Sequence, residues 1–440
     1  MGKKGVVLCG GGAKGAYQIG VWKALKKLKF NPEVVTGTSV GALNGSLMVM
    51  DDFKKAYDTW MNIDMKQIFS FKSVDLSKAK NMSDLTKMLI KSGESASYEP
   101  LQKLIKECID EDKIRKSNID FGFVTTQFVP LKKVEIYKED IPKGKMCDYV
   151  MASAACYPYM KSFSIGSKKY IDGGFFDNMP IEMAIKKGAT DIVVVDLKAA
   201  GIKNKFSNLN ANITYIGSRH DLGEIMIFDN DNSLRNMKYG YYDTLKTFNK
   251  LEGDLYTFKK GSNIKASKYE DDMEESYKKI FSRLPIVNPF ESMARTNIED
   301  YLKNYNKELF SINSNVLTSL EFAANIFNID MLNVYSFNEY RKLIIKKYET
   351  CKKTNEYKKI FDLNDAIKKV LKPDGMKDLV QTYDKDNLVV YIVNLLSKKI
   401  LNFDDKKEIW VFSVIYPDVV LASIAVSAIL TKKKFINGIF

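Results

Sequence analysis

The chain has 440 residues, 45% of them apolar, which is enough for one large packed domain or two ordinary ones and excludes a disordered or fibrous protein. Its formal charge of +14 invites an anionic membrane surface or nucleic acid as partner, and since no nucleic-acid module signature is present, no nucleic acid is expected. Five scattered cysteines, without C-x-x-C or Cys/His spacing, exclude a disulfide framework and a zinc site and point to a reducing compartment.

Residues 6–9 (VVLC) predict a buried strand. No charged-then-apolar leader precedes it and the myristoylation pattern fails at Val6, so a cytoplasmic protein is expected. The glycine loop 10–15 (GGGAKG) follows and opens a helix over residues 16–28, with Ile19, Trp22, Leu25 and Leu28 near helical spacing. Residues 34–36 (VVT) then form a second short strand that feeds the turn 37–41 (GTSVG). Two strand–turn–helix units in tandem imply parallel strands joined by a right-handed crossover, which puts both glycine turns at the same sheet edge.

Such turns have a chemistry. Gly37 and Gly41 flank Ser39 at two residues on either side and remove the side chains that would crowd a sharp bend, so Ser39 Oγ is pushed out at the strand end in a nucleophile position. Gly10, Gly11 and Gly12 can expose consecutive N–H groups at a helix start, where negative charge is favoured; this suits an oxyanion hole.

Further along, residues 52–115 read as mostly helical and polar, a cap over the sheet. Residues 121–126 (FGFVTT) and 133–137 (KVEIY) read as a strand pair, 147–156 as a helix, 181–187 as another helix and 191–197 (DIVVVDL) as a central strand. Between them, Asp172 ends a short apolar run in KYIDGGFFDNMP, so its carboxylate is expected at a strand end, where the active-site groups of open α/β sheets gather. One more strand is predicted over 225–228 and a helix over 232–248. A boundary is expected near residues 259–263, beyond which only helical patterns follow. The run 410–430 has nearly the length of a membrane span, but Pro417-Asp418 divides it, which favours a buried core helix.

The glycine loop, the GTSVG turn and the later Asp172-Gly173-Gly174 stand in the order of the patatin-like phospholipase family, whose members carry G-G-G-x-[RK]-G, G-x-S-x-G and D-G-[GA]. Residues 152–159 (ASAACYPY) also resemble that family's Ala/Ser-rich helix and Pro turn. The resemblance, to a bacterial-type member with an additional C-terminal helical region, spans about the first 255 residues. It implies an α/β fold: a patatin-like three-layer α/β/α domain with a mostly parallel central sheet over residues 1–258, and a mainly α-helical C-terminal domain over 259–440. It further implies a serine hydrolase acting on ester bonds, a lipid acyl hydrolase of the phospholipase A or lysophospholipase type. In this reading Ser39 and Asp172 form a catalytic dyad, and the amides of Gly10, Gly11 and Gly12 hold the oxyanion. Lys14 occupies the family's Arg-or-Lys position, and Gly15, Gly37, Gly41, Gly173 and Gly174 support the loops. No metal or cofactor is implied. The expected partners are a phospholipid or lysophospholipid substrate and, peripherally, an anionic membrane surface.

Other readings stay open on the residues alone. The order Ser39, Asp172, His220 is that of an α/β-hydrolase triad, although a single strand precedes the one delivering Ser39 and His220 lies in a polar stretch. GGGAKG also satisfies a dinucleotide-binding pattern, but Glu33 precedes the second strand instead of ending it. A non-catalytic lipid-binding scaffold would leave three intact chemical motifs unexplained.

Overall fold

In chain order the N-terminal part runs β1 (Lys3–Leu8), α1 (Ala16–Lys27), β2 (Val34–Thr38) and α2 (Val40–Val49), then the helices α3 (Phe53–Asn62), α4 (Met65–Ile68), α5 (Met82–Ser92), α6 (Glu99–Cys108) and α7 (Glu111–Lys116). It continues through β3 (Asp120–Gln127), β4 (Lys132–Tyr137), α8 (Met146–Ser153), β5 (Phe163–Ile165), β6 (Lys168–Asp172), α9 (Ile181–Lys186), β7 (Ala189–Asp196), β8 (Asn212–Gly217) and α10 (Asn230–Thr247). The structure is a computed structural model that describes residues 2–79, 81–204, 211–281, 288–306, 314–354 and 384–436. Two compact units emerge, Met1–Leu245 and Lys246–Phe440, a division earlier in the chain than the composition change near residue 259.

The sheet of the first unit has the order β5-β6-β3-β2-β1-β7-β8, with β4 on the other edge of β3. β1 pairs in parallel with β2 on one side and with β7 on the other, as the tandem strand–turn–helix units require. Side chains alternate across a strand, so β2 serves two layers. Val34 packs with Val7, Ile192 and Ala184 of α9, and Thr36 Oγ1 donates to Pro180 O at 2.9 Å on that same face. Val35 turns to the opposite face and meets Gly45 of α2. Helices therefore cover both faces of a mostly parallel sheet, in the three expected layers.

The register of β3 decides where the sheet's ends meet. β4 pairs along one edge of β3 from Gly122 to Gln127, so β2 and β6 share the other edge. β2 runs parallel to β3 as far as Thr38 opposite Val124, and β6 arrives antiparallel with Asp172 opposite Thr125. The last residue of β2 and the last residue of β6 thus occupy successive positions on one edge, which brings Ser39 and Asp172 to a single point.

The helices α3, α4, α5 and α7 start on side-chain caps: Asp52 accepts from Lys55 N–H, Asp64 forms a capping box with Gln67, Asn81 accepts from Asp84 N–H and Asp110 from Lys113 N–H. The strand expected over 225–228 is not formed. Those residues are an irregular loop whose polar groups are satisfied without a ladder: Ile225 O accepts from Ala13 N–H at 2.8 Å and Phe228 N–H donates to Met65 Sδ at 3.4 Å.

The described residues of the second unit are mainly helical, with one two-stranded parallel pairing of Val334–Tyr335 with Thr257–Phe258. The apolar run 410–430 splits at Tyr416 into the end of the helix Phe403–Ile415 and the start of the helix Pro417–Ile436. Pro417 begins the second helix, where a missing N–H costs nothing. Val419, Ile424 and Ile429 are packed with Leu320, Leu388 and Ile392 in one apolar cluster, so the run is core. Among the described residues no helix is long and apolar enough to cross a membrane.

Candidate active site

Ser39 is the residue between β2 and α2, and its backbone has φ 57° and ψ −123°, a conformation that side chains other than glycine rarely adopt. The surrounding structure holds it there. Ser39 N–H donates to Ser153 Oγ at 2.9 Å, and Ser153 Oγ donates in turn to Val124 O at 2.7 Å. Gly37 lies in β2 and Gly41 in the first turn of α2, on either side of the bend.

Asp172 ends β6 and is 8% exposed. Its carboxylate accepts from Gly174 N–H at 2.7 Å and lies beside the Ser39 side chain, and its own N–H donates to Ala155 O at 2.8 Å. Burial raises the carboxyl to a pKa of about 6, against the pull of the Ser39 side chain and Gly174 N–H, which favour the ionised form. Gly173 and Gly174 form the short turn that follows. Asp177 is tied up elsewhere, in an ion pair with Lys133 at 2.7 Å, and accepts from Met179 N–H.

The glycine loop lies beside the serine. A Cβ on Gly10 would stand 3.2 Å from Ser39 Cβ and 2.3 Å from Asn178 Oδ1. Gly12 has φ +53°, and a Cβ there would stand 2.0 Å from Ile225 O, so both backbone and space require glycine. Gly10 N–H donates to Asn178 O at 3.3 Å. Gly15 ends the loop's 3-10 turn, while Lys14, half-buried within it, is not among the residues lining the cavity.

Two supports escaped the sequence reading. Asn178 is buried and ties three loops together: its Nδ2 reaches Gly10 O and Ala200 O, both at 3.4 Å, and its N–H donates to Ile202 O at 2.6 Å. A second network joins loop, elbow helix and cap. Trp60 Nε1 donates to Asn44 Oδ1 at 3.0 Å, Asn44 Nδ2 donates to Gly15 O at 3.0 Å and to Gln18 Oε1 at 2.8 Å, and Gln18 Nε2 donates to Cys9 O at 2.7 Å. All three side chains are buried, so each bond forms in a low-dielectric interior. Only their residue types hint at this in the sequence, because the bonds join residues 9 to 29 positions apart.

These groups open onto a cavity of about 540 Å³ lined by Gly10, Gly11, Gly12, Ser39 and Asp172 together with apolar side chains from the cap (Trp60, Ile63, Phe69, Leu101) and the 225–228 loop. Asp172 is the one charged residue of that lining among the described residues. Cys156 also lines it, its thiol pushed up in pKa by burial and by the neighbouring Asp172. His220 is not part of the lining; its ring stacks on Tyr239 with centroids 3.9 Å apart. Among the described residues no group of three or more His, Cys, Asp or Glu side chains could hold a metal ion.

The first unit is therefore an α/β/α protein whose sheet edge presents a strained serine turn, a buried aspartate and a glycine loop around one apolar cavity. Residues 6–185, all within the first unit, match the model of the family described as patatin-like phospholipase. Patatin-like phospholipase domain-containing protein 7 of Rattus norvegicus is 24% identical over 194 residues, which is 44% of this chain and 13% of that protein. Lysophospholipase NTE1 of Mycosarcoma maydis is 25% identical over 193 residues, 44% of this chain and 10% of that protein. The match thus spans about an eighth or less of these relatives' length. Among solved structures, VipD from Legionella pneumophila aligns over 98% of this chain and 92% of its own, at 13% identity and a TM-score of 0.38.

Proposed function

We propose that the first unit is a lipid acyl hydrolase of the phospholipase A or lysophospholipase type, a serine hydrolase that acts from the cytoplasm at an anionic membrane surface. The observation that carries this reading is the juxtaposition of Ser39 with a buried Asp172 in an apolar cavity beside a glycine loop. The family match over residues 6–185 and the lysophospholipase among the relatives agree with it.

The chemistry follows from the groups present. A serine hydroxyl is a poor nucleophile until a neighbour accepts its proton. Asp172, with a pKa of about 6, is mostly ionised at pH 7 and is a stronger base than an aspartate in water. As Ser39 Oγ bonds to the ester carbonyl carbon, its proton passes to Asp172 and the carbonyl oxygen becomes an oxyanion. Gly10 N–H is engaged with Asn178 O, so the donors for that oxyanion are the amides of Gly11 and Gly12. The tetrahedral adduct collapses, the leaving alkoxide takes the proton from Asp172, and an acyl-serine remains. Asp172 then takes a proton from water, the resulting hydroxide attacks the acyl carbon, and the proton returns to Ser39 as the fatty acid leaves.

A fluorophosphonate probe should label the full chain, and Ser39→Ala should abolish the labelling. Mass spectrometry of mixed phospholipid vesicles incubated with the protein should show free fatty acid with lysophospholipid or its deacylated product. Absence of both labelling and fatty acid release would overturn the proposal.

A further inference from the structure

Among the described residues of the first unit, seven large apolar side chains are more than a third exposed, and five of them, Val129, Leu131, Tyr157, Phe175 and Ile202, belong to loops around the candidate site. Tyr157, Phe175 and Ile202 line the cavity itself. Val129 and Leu131, 70% and 59% exposed, cap the β3–β4 hairpin. That hairpin belongs to the same rim. β3 continues past the level of Asp172 by two further pairs, Thr126 with Ile171 and Gln127 with Tyr170, so its tip stands beyond the site at the same sheet edge. Phe128, the first residue of the tip, packs its ring 5.0 Å from that of Tyr157.

The loops that carry these exposed side chains also carry lysine. Residues 128–133, 157–161, 174–176 and 198–203 contain five lysines and no Asp or Glu. Lys133 and Lys203 pair with Asp177 and Asp196, whereas Lys132, Lys161 and Lys198 are exposed beside the apolar residues. Apolar tips ringed by lysine are the surface that an anionic lipid interface accepts, side chains entering the acyl boundary and ammonium groups meeting headgroup phosphates.

Resting on the lipid-hydrolase reading above, we infer that this rim is the face by which the protein docks on an anionic phospholipid bilayer, with Val129 and Leu131 inserted and the cavity mouth set against the lipid. Continuity selects a bilayer as the occupant. The apolar rim runs into the apolar cavity wall, so an acyl chain passes from membrane to Ser39 without crossing water, while a protein seated there would close the entrance. Exposed apolar residues of this extent on a soluble unit otherwise carry a cost in solubility.

The test uses the full chain and vesicles of phosphatidylcholine and phosphatidylglycerol in a three-to-one ratio. Val129→Asp/Leu131→Asp should reduce co-sedimentation with the vesicles by about tenfold or more, and hydrolysis of vesicle lipid in parallel, since two inserted apolar side chains become two repelled charges. Turnover of a water-soluble short-chain ester should stay at the wild-type level, because neither residue lines the cavity. Ile90→Asp, equally exposed but on α5, is the control and should leave vesicle binding unchanged. Unaltered binding by the double variant, an equal loss in the control, or a shift from dimer to monomer in gel filtration caused by the double variant would overturn the proposal. Ser39→Ala separates the two readings: it should bind vesicles as well as the wild type while hydrolysing nothing. Vesicle binding without any esterase activity in the wild type would sink the hydrolase reading alone, and esterase activity without vesicle binding would sink the docking face alone.

Discussion

Replacing Asp172 by Asn removes the proposed base and also tests the electrostatics of the site. In the folded protein burial raises this carboxyl from its ordinary value of 3.8 to about 6. The fold therefore favours the protonated form: the stability this confers is fully present below about pH 4 and is lost as the pH rises through about 6. Ionised Asp172 consequently costs about 3 kcal/mol at pH 7, from a rise of roughly two in pKa at about 1.4 kcal/mol each, and well under about 1 kcal/mol at pH 4. Asparagine keeps an oxygen for Gly174 N–H and for the Ser39 hydroxyl but carries no charge to bury. Asp172→Asn should be more stable than the wild type at pH 7 and nearly equal to it at pH 4 in urea titrations of the full chain. Its esterase activity should fall by about a thousandfold or more. Wild-type kcat/KM should rise about tenfold per pH unit below 6 and level off above, as the base ionises. A variant less stable at pH 7, or a stability difference independent of pH, would refute the claim that this carboxylate is held ionised against its surroundings.

Gly12→Ala forces a Cβ towards Ile225 O and an unfavourable φ, and should cost about 1–3 kcal/mol in urea titration with at least about a tenfold loss of activity. Asn44→Ala strips partners from Trp60 Nε1 and Gln18 Oε1 in a buried setting; a stability loss of about 2–3 kcal/mol is expected, and a loss below about 0.5 kcal/mol would show that the network is relaxed by water. His220→Ala should keep a near wild-type rate on a soluble ester, whereas a loss of about a thousandfold would restore a triad.

The chemical vocabulary of this protein was legible in the chain itself. Short β-branched runs followed by glycines announced β1 and β2 in parallel, because a strand, a tight turn and a helix start are local events set by residues a few positions apart. The same locality made Ser39 and Gly10–Gly12 visible as candidate site residues, and Pro417 decided that residues 410–430 were two core helices. The loop at 225–228 misled, since a short apolar run buries equally well against a cavity as in a ladder. Ser153 and Asn178 were invisible because they act on backbone groups 114 and 168 residues away, and no spacing rule reaches that far. The meeting of Ser39 with Asp172 belongs to tertiary structure alone: it depends on β6 taking the edge of β3 at the position where β2 leaves it. Burial, which moves the carboxyl's pKa, is a property of everything packed around it and exists in no single stretch of sequence.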